Sequence, residues 1–476
     1  MMTLPARWAA QWARSPSAPA MRFGDGPWVS TAELNQRSAT AGMALSGLGV
    51  AAGDRVLWSA TTSLPAVVAA LGVLRLGAVL VPVNPGYTRA EVAYVATDAR
   101  AACAIVEGAE ARGWVAEAAP ATQVLDLSLE PRVRTGGGPG DPSPLLDGAA
   151  LGDPALIVYT SGTTGRPKGA VLTHANMAAG VECLVAAWGW GHDDRLLLAL
   201  PLFHVHGLCA GLFGSLTAGA PAVVHERFSP GRVLAVAGDV SMFFGVPTMY
   251  HRLAADPGCG ELRSLRLCVS GSAPLPIALF EALAARTGQR VLERYGMSET
   301  LLTISNPLEG ERRPGSVGLP LPGVELELDG GELWVRGPSV FAGYFERPEA
   351  TAEAFTEGWF HTGDLAAIAP DGYVTILGRA KDLIISGGFN VYPAEVEDAL
   401  VRHPAIREVS VAGSPSEEWG EAVTAWIVTD GPAPSVEELG VFCAGSLAAY
   451  KRPRLVRVVD SLPRNAMGKV LRHELR

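Results

Sequence analysis

The sequence predicts an α/β protein with a large N-terminal domain of layered β-sheets and helices and a small C-terminal α+β domain. Residues 20–110 alternate helical patterns with short β-branched runs such as AVLVPV at 78–83, which is typical of α/β layers. The last hundred residues contain their own helix (AEVEDALVRH) and strands (EVSVAG, AVTAWIV). A chain of 476 residues also exceeds the size at which one hydrophobic core stops growing.

Two apolar stretches are better explained by the core than by a membrane span. Residues 66–83 carry Arg75 at their middle, where a charge in a bilayer costs about 2.5–3.5 kcal/mol, so a core helix followed by a strand is expected. Residues 196–220 contain Pro201, His204 and His206, which favours a strand, a loop and a helix. No membrane association is therefore expected.

Further along the chain, the Gly/Pro-rich residues 131–153 predict a long surface loop. The pattern then continues with a buried strand (ALIVY) and an amphipathic helix at 277–286. VELEL and ELWVR predict antiparallel strands joined by a turn at 329–331. We place the large domain at 1–378, a hinge at 379–382 and the small domain at 383–476.

Composition and charge narrow the class of protein. Apolar residues make up 48% and charged residues 18%, which indicates a globular chain. A net charge of −10 disfavours nucleic-acid binding, which requires clustered cations. The six cysteines show no CxxC or Cys/His ligand spacing, and the N-terminus has no secretory h-region. A cytoplasmic protein with buried thiols is expected.

A phosphate-binding loop is predicted at 159–169, YTSGTTGRPKG, directly after the strand ALIVY. Hydroxyls and backbone N–H groups held by flexible glycines form a concave array of donors, and a lysine adds positive charge. The loop is not a Walker loop, because no GxxxxGK[ST] spacing can be drawn through it. Its expected phosphate-binding residues are Thr160, Ser161, Gly162, Thr163, Thr164, Gly165 and Lys168.

This loop resembles the signature of the AMP-forming acyl-CoA synthetases, adenylation domains and luciferases, the adenylate-forming (ANL) superfamily. Six further segments follow in the family's order: PLFHVHG (201–207), SGSAPL (270–275), RYGMSET (294–300), WFHTGD (359–364), GRAKDLIISGGFNVYPAEVE (378–397) and PRNAMGKVLR (463–472). The resemblance implies adenylation of a carboxylic acid by ATP with Mg²⁺, followed by transfer to coenzyme A, with the small domain mobile between the steps.

The resemblance also assigns roles to individual residues. It implies catalytic roles for Lys469, Thr163 and Glu299, with Glu299 as the Mg²⁺ ligand, a hinge at Lys381, and coenzyme A contacts at Gly387 and Gly388. The nucleotide contacts it implies beyond the phosphate loop are Gly271, Ser272, Ala273, Tyr295, Gly296, Met297, Ser298, Asp364, Arg379 and Lys469. The family usually has threonine where this chain has Ser298, which retains the hydroxyl.

Arginines near the acyl site bear on which acid is used. The context of His206, Arg252 and Arg294 resembles the malonyl-CoA synthetase branch, in which two such arginines hold the distal carboxylate. Malonate or methylmalonate is therefore the leading hypothesis, and a dicarboxylic acid, ATP and coenzyme A are the expected small-molecule partners. Alternatives are a medium- or long-chain acyl-CoA synthetase, a stand-alone adenylation enzyme for another acid, and an inactive scaffold.

Two further hypotheses concern a histidine pair and a lysine. His204 and His206 form an HxH pair that could bind a metal, but two histidines without a third ligand are weak evidence for a metal site. Lys469 follows a glycine near the C-terminus, and acetylation there is a hypothesis for regulation.

Overall fold

The computed structural model describes residues 2–127, 145–160, 166–465 and 468–475. Its α-helices are α1 Leu4–Arg14, α2 Thr31–Gly47, α3 Leu64–Leu76, α4 Arg89–Asp98, α5 Ala109–Ala118, α6 His174–Ala187, α7 Gly214–Ala218, α8 Pro230–Ala235, α9 Pro247–Ala255, α10 Ile277–Thr287, α11 Pro348–Glu353, α12 Pro393–Leu400 and α13 Val436–Phe442. A π-helix, His206–Phe213, precedes α7.

The strands are β1 Pro19–Phe23, β2 Trp28–Ser30, β3 Arg55–Ser59, β4 Val79–Pro82, β5 Cys103–Val106, β6 Gln123–Leu125, β7 Pro154–Thr160, β8 Lys168–Thr173, β9 Leu196–Leu198, β10 Ala222–Val224, β11 Met242–Gly245, β12 Leu267–Ser270, β13 Leu292–Tyr295, β14 Ile304–Ser305, β15 Leu319–Pro320, β16 Glu325–Asp329, β17 Glu332–Arg336, β18 Gly343–Tyr344, β19 Phe355–Thr356, β20 Trp359–Ile368, β21 Val374–Arg379, β22 Ile384–Ser386, β23 Phe389–Val391, β24 Ile406–Ser416, β25 Gly420–Thr429 and β26 Leu455–Val458.

Two largely parallel sheets form the centre of the large domain. Within the described residues, one has the order β15-β14-β13-β12-β11-β9-β10-β1-β2 and the other β18-β8-β7-β4-β3-β5-β6. Strands such as β5, β9 and β12 are buried along their whole length, because helices cover both faces of a parallel sheet. This arrangement confirms the predicted α/β class.

The element predictions that fall on described residues agree with the structure. The helix Leu64–Leu76 leads into β4, with its N-terminus capped by Ser63 and its C-terminus at Gly77 in the left-handed region (φ 79°). Arg75 is buried and paired with Asp147 at 2.8 Å. Strands β16 and β17 pair antiparallel across 329–331. The predicted surface loop at 131–153 lies mostly in 128–144, outside the described residues.

The C-terminal part has its own sheet and core. Strands β23-β22-β25-β24 pair in that order with β26 beside β25, and Val396, Leu439 and Ile427 lie in the core beneath them. A 3₁₀ turn at Ala380–Asp382 separates β21 from β22, at the position predicted for the hinge. In the described part of the chain, no helix combines the length and apolarity needed to cross a bilayer.

Candidate active site

The predicted phosphate loop connects the neighbouring strands β7 and β8. These strands pair antiparallel with Thr160 opposite Lys168, so both ends of the loop are fixed by the sheet. Ser161, Gly162, Thr163, Thr164 and Gly165 lie outside the described residues, and their phosphate contacts stay predictions. The strand pairing places the base of the loop beside RYGMSET.

Glu299 is the carboxylate at the centre of this region. It is buried, and its Oε1 accepts hydrogen bonds from the Thr160 hydroxyl at 3.1 Å and the Tyr344 hydroxyl at 3.3 Å. Burial raises the pKa of Glu299, while the donors Thr160 and Tyr344 and the charge of Arg379 oppose that rise. Lys168 places its ammonium 5.3 Å from the centre of the Tyr344 ring.

Tyr344 was missed by the sequence reasoning. Its hydroxyl reaches Glu299, 45 residues earlier, because β18 pairs with β8 and brings Tyr344 opposite Ala170. Burial and the neighbouring Glu299 raise the pKa of Tyr344, which keeps the hydroxyl protonated and able to donate. No local pattern marks this residue, because only the strand register creates the contact.

Asp364 and Arg379, the predicted ribose ligands, form a second polar cluster with Tyr295, which was predicted to contact the adenine. Asp364 on β20 lies opposite Arg379 on β21, and Arg379 Nε contacts Asp364 Oδ1 at 2.7 Å. The Tyr295 hydroxyl donates to Asp364 Oδ2 at 2.5 Å. Burial raises the pKa of Asp364, opposed by the charge of Arg379 and the Tyr295 hydrogen bond. The arrangement leaves a carboxylate and a guanidinium side by side, the acceptor and donor that two hydroxyls require.

Lys469 is brought to this cluster from the C-terminal part. A turn closed by Asn465 holds its backbone, with the Lys469 N–H donating to Asn465 Oδ1 at 3.0 Å. A side chain at the neighbouring Gly468, whose φ is +76°, would meet Thr248 of the large domain at 2.8 Å, so the turn is docked there. Desolvation and the charge of Arg379 lower the pKa of Lys469, and the charge of Asp364 opposes them.

On the acyl side, Arg294 and His206 meet the SGSAPL segment. Arg294 packs flat against Gly271, where an added Cβ would lie 2.5 Å from the guanidinium carbon. Among the described residues Arg294 has no ion-pair partner, and its buried Nε has no acceptor. Burial lowers the pKa of Arg294 to about 10. His206 Nδ1 lies 3.2 Å from the Ser272 hydroxyl, and Ser272 adopts a left-handed φ of +71°.

His206 is an uncharged donor or acceptor in this pocket. Burial lowers its pKa well below the ordinary range, and the charge of Arg294 adds to this effect. Its Nε2 is buried and has no hydrogen-bond partner in the part of the chain that is described. Burial also lowers the pKa of His204 to about 4. The pair of buried polar atoms, His206 Nε2 and Arg294 Nε, therefore lacks the partners that buried polar groups normally have.

The structure does not bring Arg252 into this cluster. Arg252 lies exposed on α9, with its guanidinium carbon 5.0 Å from the Phe228 ring centre. It lines a cavity of about 540 Å³ between the large domain and the Arg464–Gly468 turn, together with Phe203 and Phe228. Its predicted contact with the acid stays a prediction.

Backbone conformation explains several of the predicted residues in the RYGMSET and SGSAPL segments. A side chain at Gly296 would lie 1.8 Å from the Leu301 carbonyl oxygen, so only glycine fits. The Met297 N–H donates to the Thr300 hydroxyl at 3.3 Å, which fixes the turn that carries Ser298 and Glu299. Ala273 lies half-buried next to Ser272 in the same loop. The nucleotide contacts of these residues stay predictions.

Gly387 and Gly388 form the two-residue turn of the β22–β23 hairpin. Both have positive φ, +59° and +81°, with Ser386 opposite Phe389. A side chain at Gly387 would lie 2.8 Å from the Trp419 ring. The turn conformation accounts for both glycines, and their coenzyme A contacts and the hinge role of Lys381 stay predictions.

The residues present fit a magnesium ion that arrives with a nucleotide. Within the described ranges, no group of three or more His, Cys, Asp or Glu side chains could hold a metal ion. Mg²⁺ is commonly held by one or two carboxylates together with substrate phosphates and water, so the single buried carboxylate of Glu299 suits it. Bound there, the ion would neutralise the charge of the phosphates.

Known proteins resemble the chain over nearly all of its length. The AMP-binding enzyme model matches residues 8–345, and the AMP-binding enzyme C-terminal domain model matches residues 395–469. A feruloyl-CoA synthase from Amycolatopsis sp is 36% identical over 98% of this chain and 98% of its own.

Two solved structures are also similar. ATP-bound MatB from Rhodopseudomonas palustris is 37% identical, with 100% of this chain and 98% of its own covered and a TM-score of 0.91. A malonyl-CoA ligase in a product complex with methylmalonyl-CoA and AMP is 43% identical, with 94% of this chain and 98% of its own covered and a TM-score of 0.67. The chain therefore superposes more closely on the ATP-bound structure than on the product complex.

Proposed function

Because the chain belongs to the AMP-binding enzyme family and is an AMP-forming acyl-CoA synthetase that uses ATP, Mg²⁺ and coenzyme A, we propose that its acid is malonate or methylmalonate. The observation that carries the proposal is Arg294, a buried guanidinium without a carboxylate partner among the described residues. A buried charge is stable only when it is paired, and a dicarboxylic acid supplies the missing partner from the substrate. A monocarboxylic acid would leave Arg294 unpaired against an apolar chain.

His206 complements Arg294 in this proposal. The imidazole is neutral, so it adds a hydrogen bond without a second buried charge. With Nδ1 held by the Ser272 hydroxyl, Nε2 is left to bind the carboxylate. A bidentate guanidinium and a neutral N–H together satisfy the oxygens of one carboxylate. Arg252 lies against Phe228 and would provide a second guanidinium only after its side chain moved toward Arg294.

The rest of the site suits the two half-reactions. In the first, the near carboxylate of the acid attacks the α-phosphate of ATP, giving acyl-AMP and pyrophosphate. Lys469, beside Asp364 and Arg379, stabilises the negative charge that gathers on the reacting oxygens. Asp364 and Arg379 bind the ribose hydroxyls, and Glu299 binds Mg²⁺. In the second, the thiol of coenzyme A attacks the acyl carbon, its proton is released, and AMP leaves.

The test is ATP–pyrophosphate exchange, which reports adenylation without coenzyme A, on a panel of malonate, methylmalonate, butyrate, octanoate and ferulate. Malonate or methylmalonate should give the highest kcat/KM. Replacing Arg294 with Ala should abolish exchange with malonate and leave ATP binding intact. Arg290, an exposed arginine just before β13, is the matched control, and Arg290→Ala should behave as wild type. Preference for butyrate, octanoate or ferulate, or undiminished malonate exchange in Arg294→Ala, would refute the proposal.

A further inference from the structure

We propose that Tyr344 is a positioning residue for the metal site. Its hydroxyl donates a hydrogen bond to Oε1 of Glu299, which leaves the other carboxylate oxygen, Oε2, to bind Mg²⁺. The contact is the 3.3 Å hydrogen bond from Tyr344 to Glu299. The inference rests on the proposed role of Glu299 as the Mg²⁺ ligand. It does not depend on which acid is used.

Two hydroxyls converge on the same carboxylate oxygen. Thr160, at the end of β7, donates to Oε1 at 3.1 Å, and Tyr344, on β18, donates to it from another strand. A carboxylate oxygen that already accepts two hydrogen bonds is a poor metal ligand, so the pair selects the orientation of Glu299. Hydrogen-bond partners of metal ligands act in this way elsewhere, and their removal typically weakens metal affinity on the order of 10- to 100-fold.

The backbone of Tyr344 is held in place independently of this contact. Its strand pairs with β8, the Tyr344 N–H donates to the Thr351 hydroxyl at 2.9 Å, and the Phe345 N–H donates to the Gly169 carbonyl at 2.8 Å. Gly343 has a φ of +138°, and a side chain there would lie 2.7 Å from Thr351. These backbone hydrogen bonds therefore hold Tyr344 in the position from which its hydroxyl contacts Glu299.

The ring of Tyr344 has a separate neighbour. The Lys168 ammonium lies 5.3 Å from its centre, within the range of a cation–π contact. Tyr344 thus contacts both the carboxylate expected to hold Mg²⁺ and the lysine at the base of the phosphate loop. Removing the hydroxyl alone and removing the whole ring separate these two contacts.

The experiment measures Mn²⁺, as a spectroscopic substitute for Mg²⁺, bound to the enzyme with α,β-methylene-ATP, using electron paramagnetic resonance. Tyr344→Phe should weaken Mn²⁺ binding on the order of 10-fold. The same variant should raise, by a similar factor, the Mg²⁺ concentration that gives half-maximal ATP–pyrophosphate exchange. The KM for the acid should stay unchanged. Tyr344→Leu should additionally raise the KM for ATP, because Lys168 loses the ring.

Tyr373→Phe is the matched control. Tyr373 is also half-buried, and its ring centre lies 3.8 Å from the guanidinium carbon of Arg313. Its hydroxyl donates a hydrogen bond to the Glu311 carbonyl at 2.7 Å, away from the site. Removal of the Tyr373 hydroxyl should leave the Mn²⁺ affinity unchanged. The urea midpoints of both Phe variants show whether either has lost its fold.

Three outcomes decide the matter, with Glu299→Gln as the reference. Weaker Mn²⁺ binding in both Glu299→Gln and Tyr344→Phe, at unchanged urea midpoint, supports the proposal. Loss of affinity in Glu299→Gln but wild-type affinity in Tyr344→Phe overturns the role of Tyr344 and keeps Glu299 as the ligand. Wild-type affinity in Glu299→Gln overturns the assignment of Glu299, and the inference falls with it.

Discussion

Replacing Arg294 with Met should stabilise the ligand-free protein while abolishing the use of malonate. Methionine keeps most of the length of the side chain and removes the charge. Arg294 is buried against Gly271 and has no ion-pair partner among the described residues, so the fold bears the cost of an unpaired cation.

The magnitude follows from the pKa of Arg294. Burial lowers it from the ordinary range of an arginine to about 10, and each pKa unit corresponds to about 1.36 kcal/mol. The cost of keeping Arg294 charged is therefore about 3 kcal/mol. Because neutral pH lies below both values, the arginine is charged whether folded or unfolded. The cost is then present in full at neutral pH and falls only as the pH rises above about 10.

The assay is urea unfolding of wild type and Arg294→Met at pH 7, with and without malonate, in the presence of α,β-methylene-ATP. Without malonate the variant should have the higher midpoint. With malonate at about 100 times its Kd, wild type should gain about 2.7 kcal/mol and the variant nothing. A variant that is less stable than wild type would refute the unpaired-charge argument. A variant that still responds to malonate would refute the assignment of Arg294 to the acid.

Three further predictions concern other parts of the molecule. Lys469→Ala should block adenylation but spare thioester formation from supplied acyl-adenylate, and equal loss in both half-reactions would contradict a two-conformation cycle. Burial raises the pKa of Glu293 to about 8, so the contribution of this residue to stability should fall as the pH rises from about 4.3 to 8. Glu293→Gln, which keeps an acceptor for the Leu275 N–H, should remove that loss, as thermal unfolding across this pH range would show. Gly296→Ala should destabilise the fold by several kcal/mol, on the order of a severe core clash, because its Cβ would meet the Leu301 carbonyl, and a wild-type urea midpoint would contradict this.

The fold class and the chemistry could be read from local patterns. Alternating β-branched runs and amphipathic helices report burial on each element, so α3, β4 and the β16–β17 hairpin were predicted near their observed positions. The ordered motifs predicted an adenylate-forming enzyme through their resemblance to that family, whereas the loop at 159–169 alone predicted only phosphate binding. Family membership agrees with that prediction.

The tertiary structure decided what single residues do within that scheme. The sequence proposed both Arg252 and Arg294 as carboxylate ligands, yet Arg252 is exposed beside Phe228, and Arg294 is buried without a partner for its Nε among the described residues. Local sequence could not establish this difference, because burial depends on every element packed around a side chain. Tyr344 reaches Glu299 through the β18–β8 register, a contact between distant segments. The sequence by itself determined the type of reaction, and long-range packing decided which of the candidate side chains are buried and which contacts they make.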